Sequence, residues 1–262
     1  MATLTVTLEP AYGSVRLDVA ADPGDGEVTS VNRLLIDDPT DNGSDVRTQA
    51  GQLPAAMPLL LRDFEAPLGQ RVQYLVWYES SSGLTAAWSQ PVTVRPRPGI
   101  AGVLTVVGQP NIQAEVPMLL LYEAQNAPEV TVHWPLGAEY PRYVLGPVRA
   151  RTGSLTIVVD TLAAARQVRT VYSARQPVLL RQTDHPALDM YHIATALRTT
   201  PADPKGRQWR IDVDYTEVAD PTMPLIGATG WTFGDVAATY ETFADVAAAY
   251  DSFGDLFVGP VV

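Results

Sequence analysis

The chain has 262 residues, 46% of them apolar, with 29 acids against 18 lysines and arginines for a formal net charge of −11. That acidity repels phosphate backbones and argues against nucleic acid as a main partner. With no cysteine, disulfides and thiolate metal sites are excluded and synthesis in a reducing cytoplasm is expected. No apolar run is long enough to span a bilayer, so membrane insertion is not expected.

Residues Met1 to Leu8 lack the basic region and apolar block of a signal peptide and read as a first strand. Period-two alternation recurs in Val15-Arg16-Leu17-Asp18-Val19, in Gln73 to Tyr78 and in Pro91 to Arg95. Turn-rich clusters at Asp22 to Gly26, Asp41 to Ser44 and Ser80 to Gly83 separate these runs. Short strands so punctuated predict an antiparallel β-sandwich over residues 1–97. Arg95-Pro96-Arg97-Pro98-Gly99 breaks the pattern and reads as the linker.

A second β-sandwich-like region is expected over 98–220. Its strand runs include Leu104 to Val107, Met118 to Tyr122, Val130 to Trp134, Ser154 to Val159 and Pro177 to Arg181. Between the last two, Thr161 to Tyr172 is rich in helix formers, with Asp160 or Thr161 as cap. Leu162, Ala165, Val168 or Arg169, and Tyr172 fall near one face of that helix. The strand at Gln208 to Tyr215 alternates cleanly, with Trp209, Ile211, Val213 and Tyr215 inward. The fold class is therefore mainly β, two sandwich-like domains with one helix flanking the second.

Residues 221–262 form a third segment that says one thing three times. Thr232-Phe233-Gly234-Asp235-Val236 recurs as Thr242-Phe243-Ala244-Asp245-Val246 and as Ser252-Phe253-Gly254-Asp255-Leu256, ten residues apart. In each copy a hydroxyl precedes an acid by three positions, the spacing of a capping box. Each unit reads as a short helix, marginal alone. Its apolar side chains require a partner surface. The candidate contacts are Trp231, Phe233, Val236, Tyr240, Phe243, Val246, Tyr250, Phe253 and Leu256.

Chemistry-bearing motifs are sparse. Asp184, His185, Asp189 and His192 fit no metal-ligand spacing, and Asp184-His185-Pro186 reads as a turn between strands. Aspartates 37, 38, 41 and 45 surround Asn42-Gly43, but the closing acid of a calcium loop falls on Gln49. That segment reads as a hairpin loop. No G-x-S-x-G motif or phosphate loop occurs, and the only histidines are His133, His185 and His192. His133 reads as a structural histidine in an apolar strand. Trp77, Trp88, Trp134 and Trp209 read as core anchors. The expectation is a non-enzyme with no cofactor and no metal.

The repeats resemble the C-terminal ends of minor tail proteins of long-tailed actinobacteriophages. Asp63-Phe64-Glu65-Ala66-Pro67-Leu68-Gly69, followed by Tyr74, is similar to a segment of their immunoglobulin- or fibronectin-like domains. Arg149 to Val159, then the helix, then Pro177 to Arg181, is similar to the β-sandwich-plus-helix of distal-tail and tail-tube proteins. The resemblance implies a virion structural protein assembled in the host cytoplasm. It would form a trimeric or hexameric ring with itself and with other phage tail proteins, linking the tail tube to the host-recognition apparatus. A second reading is a carbohydrate-binding or adhesin module that stacks host glycans on Trp88 or Trp134.

Overall fold

The computed structural model describes residues 2–11, 13–20, 25–48, 52–126, 128–134, 136, 139–203 and 206–222. The repeats and all nine candidate contact residues, Trp231 to Leu256, lie outside the described residues.

Nine strands come first: β1 (Thr3–Glu9), β2 (Ser14–Ala20), β3 (Asp25–Leu35), β4 (Ser44–Asp45), β5 (Ala55–Ala56), β6 (Leu59–Asp63), β7 (Arg71–Ser80), β8 (Gly83–Trp88) and β9 (Val92–Thr93). They make a three-stranded sheet in the order β1-β2-β6 and a six-stranded sheet built on β4-β3-β7-β8, with β5 on β3 and β9 on β7. All pairings are antiparallel. Alternation places Val15, Leu17 and Val19 of β2 and Val72, Tyr74, Val76 and Tyr78 of β7 in one buried cluster. Burying such side chains contributes about 1.5–3 kcal/mol apiece. A polar slip by one residue in either strand would turn that whole set outward.

The chain continues with β10 (Gly102–Val106), β11 (Gln113–Val116), β12 (Met118–Gln125), β13 (Pro128–His133), β14 (Arg142–Val148), β15 (Thr152–Val159), α1 (Leu162–Ser173), β16 (Val178–Gln182), β17 (Met190–Pro201) and β18 (Trp209–Glu217). A seven-stranded sheet runs β11-β10-β16-β17-β18-β15-β12. Helix α1 starts where the Thr161 hydroxyl accepts from the Ala164 N–H at 3.1 Å. It packs Ala165, Val168 and Val171 on that sheet, enclosing Leu104, Leu155, Ile157, Ile211 and Val213. The expected helix face is shifted: Val171 is buried while Leu162 is 41% exposed. Nine residues place Val171 about half a turn round the helix from Leu162, so the two cannot share the sheet-facing side.

The described residues are therefore mainly β, in several antiparallel sheets with one α-helix. The strand β18 alternates as read, with Ile211, Val213 and Tyr215 buried. The tryptophans depart from expectation. Trp88 is 53% and Trp134 70% exposed, and Trp77 and Trp209 are only half-buried. Of the four, only Trp209 packs against a core, at the edge of the second cluster, because the cores are closed by smaller aliphatic and tyrosyl side chains.

Candidate assembly surface

Strands β12 and β15 pair from Met118↔Val158 to Gln125↔Thr152. Beyond that point the same two chain segments continue as β13 and β14, paired from Pro128↔Val148 to His133↔Arg142. Four strands thus form one long antiparallel ribbon. Its inner half is the edge of the seven-stranded sheet, and its outer half is a separate two-stranded sheet. Six residues of strand extend about 20 Å at the usual rise. At its base the backbones of the two strands press together. A β-carbon on Gly153 would stand 1.9 Å from the Glu123 carbonyl oxygen, so only glycine fits.

Register decides the chemistry of the outer half. Val130 faces Leu145 and Val132 faces Tyr143, so these four side chains share one face. Thr131 faces Val144 and His133 faces Arg142 on the other. The first face is bare: Val130 is 45%, Val132 50%, Tyr143 68% and Leu145 66% exposed. Trp134, Tyr140, Val144 and Val148 add to the exposed apolar surface, as do Met118, Leu120 and Leu121 on the edge strand β12. A two-stranded sheet alone is marginal in water. Scattered surface leucines need no explanation, but a contiguous apolar face marks an interaction site. His133, expected to be a satisfied core histidine, is exposed with the rest of the arm.

The seam between the two buried clusters is the opposite case. Arg181 of β16 is 1% exposed, and its Nη1 donates to the carbonyls of Gly13 at 2.7 Å and Ala66 at 2.8 Å. Burial pulls its guanidinium below the usual arginine range, against the charges of Asp63 and Asp189. Beside it, Arg33 Nη1 donates to both oxygens of Asp63, at 2.8 and 2.7 Å, and the Tyr74 hydroxyl donates to Asp63 at 3.0 Å. Burial alone raises the Asp63 carboxyl, but the Arg33 charge and these bonds win and hold it below the usual carboxylate range. Arg47 binds Glu65 at 2.8 Å and Asp220 at 2.6 Å, and also donates to the Pro221 carbonyl. The first region thereby grips the chain just after β18. Gly69 adopts φ +76°, and a β-carbon there would lie 2.7 Å from the Thr183 carbonyl oxygen. A cleft of about 270 Å³ opens at this seam, lined in part by Arg33, Glu65, Arg181, Asp189 and Tyr191.

The four residues Asp184, His185, Asp189 and His192 are not gathered into a site. A short 3-10 turn at Pro186–Leu188 separates Asp184 and His185, both exposed, from Asp189 and His192. Asp189 accepts from the Gln182 N–H at 2.6 Å, and burial pushes its carboxyl up to about 7. His192 is fully buried with Nε2 3.1 Å from the Tyr172 hydroxyl, and burial pulls its imidazole down to about 4. It is a neutral core histidine, ringed by Tyr172 and Tyr215. The aspartates of the other loop cap backbone: Asp41 accepts from Leu35 and Gly43, and Asp38 from Thr40. Among the described residues no three metal-ligating side chains converge. No protein-family model and no curated protein matches the chain.

Proposed function

We propose that the chain is a non-catalytic structural subunit of a phage tail tip, two β-sandwich-like units that assemble into a ring joining the tail tube to the host-recognition apparatus. The observation that carries this reading is the bare apolar face of the β13–β14 arm. An arm that cannot bury its own apolar side chains is built to bury them on something else. The seam supports the reading from the other side. Buried arginines bridging the two units resist bending between them, as a ring subunit under tension requires. The resemblance of residues 231–256 to actinobacteriophage tail proteins supplies the context of a virion. The partners in this reading are other copies of the chain, as a trimer or hexamer, and neighbouring tail proteins.

Electron microscopy of the purified full chain tests it. Closed rings with a central opening are expected, and uniformly monomeric particles at high concentration count against the ring.

Trp88 and Trp134, with more than half of each side chain exposed, favour a second reading as a glycan-binding module, since exposed indoles stack on sugar faces. A screen against host cell-wall polysaccharides separates the two. Binding lost on Trp134→Ala or Trp88→Ala would support the glycan module, and no binding to any glycan would remove it.

A further inference from the structure

We propose that the partner of the bare arm face is the C-terminal segment, residues 223–262, of a neighbouring copy. This inference rests on the assembly reading above and names the contact that makes the assembly.

Three observations point to that occupant. The first is apolar need on both sides. The arm exposes Val130, Val132, Trp134, Tyr143 and Leu145, and the segment carries Phe233, Phe243 and Phe253 in repeats too short to be stable alone. The second is charge. Residues 223–262 contain five acids and no lysine or arginine. Residues 1–97 hold 12 acids against 7 arginines and repel such a segment, whereas residues 98–222 hold 12 acids against 11 basic residues and are nearly neutral. The arm itself, residues 128–148, carries Glu129 and Glu139 against Arg142 and shares that near-neutrality. The third is reach. The segment leaves from Thr222, next to Asp220 and Pro221 where Arg47 holds the chain. Forty residues extend at most about 130 Å, ample to cross to the next subunit.

Each copy then presents one donor, the segment, and one acceptor, the arm. The two surfaces differ, so the contact is heterologous and propagates from copy to copy until it closes.

The absence of cysteine makes the test direct. Two full-length chains are made, one Val132→Cys and the other Phe243→Cys, then mixed and treated with a short bismaleimide. A second pair, Tyr143→Cys with Phe253→Cys, guards against one substitution that misfolds. Native mass spectrometry of the untreated samples reports assembly independently. The expected result is a covalent dimer of unlike chains as the main product, in excess over both like pairs. A Val132→Cys dimer as the main product would mean that arm meets arm, and would overturn the proposal. A third chain carrying both Val132→Cys and Phe243→Cys reads the contact in cis: crosslinks confined within that single chain would place the segment on its own arm, and would overturn the proposal too. An oligomer without unlike crosslinks leaves the ring standing and removes this contact. A monomer without them removes both.

Discussion

The seam and the arm treat their side chains in opposite ways. At the seam, charges that usually face water are buried: Arg181 and Asp63 are each 1% exposed, and each finds polar partners from distant parts of the chain. Along the arm, aliphatic and aromatic side chains that usually avoid water are 45% or more exposed. The seam pairs Asp63 fully and Arg181 through Nη1 alone, leaving its Nε and Nη2 buried without a hydrogen-bond partner, at the cost of desolvating ions. The arm leaves its requirement unmet. At the seam the molecule closes as a folding unit, and along the arm it begins as a component.

The comparison breaks first at Asp63. Removing its carboxylate by Asp63→Ala leaves Arg33 buried without its counter-ion and Tyr74 without its acceptor. Thermal or urea unfolding should show a loss of about 3–5 kcal/mol. A loss below about 1 kcal/mol would mean that the seam is not a closed network.

Titration sharpens it next. His192 is held down to about 4 in the fold, so the unfolded chain binds the extra proton. Its contribution is complete above the ordinary histidine value, near 6.5, and is lost as pH falls through 4. Asp189 is held up to about 7, so the folded chain binds the extra proton. Its contribution is complete below the ordinary value, near 3.9, and is lost as pH rises through 7. Between pH 4 and 6.5 the two slopes oppose and nearly cancel. Asp189→Asn should therefore expose a stability that rises with pH by about 1.4 kcal/mol per unit, and His192→Gln one that falls by a similar amount. Denaturation midpoints across this window check both signs. Parallel curves for the two variants would contradict the assignment.

A smaller effect is expected at the cap. Thr161→Ala removes the acceptor for the Ala164 N–H and should cost about 1 kcal/mol in the same assay. The smallest belongs to the arm. Val132→Ser and Leu145→Thr should each change the stability of the dilute, unassembled chain by less than about 0.5 kcal/mol, because these side chains are already exposed. A loss of about 2 kcal/mol would show that the arm is covered within its own subunit.

The two regions also differ in how far they could be read from the chain. Alternation in β2, β7 and β18 identifies their buried faces, because a strand half-covered by its own sheet writes that covering into every second residue. The capping threonine and the run of alanines locate α1. Arg181 gives no such signal. It closes the run Val178-Leu179-Leu180 as an ordinary polar end, and its two acceptors stand 168 and 115 residues away in the chain. The arm misleads for a related reason. Val130-Thr131-Val132-His133-Trp134 has the period of a core strand, and period tells which face is apolar without telling whether anything covers it. Trp88 and Trp134 misread as core anchors on the same ground. The neutrality of His192 is equally unreadable, since it follows from burial beside Tyr172 and Tyr215, which only the fold brings to it.

Sedimentation velocity of the full chain against its Val132→Arg, Leu145→Arg variant, over a range of concentrations, decides whether the arm is an assembly surface. A closed oligomer is expected for the native chain and a monomer for the variant, with the same unfolding profile in dilute solution. A variant that sediments with the native chain, or a native chain that stays monomeric at the highest concentration, would contradict it.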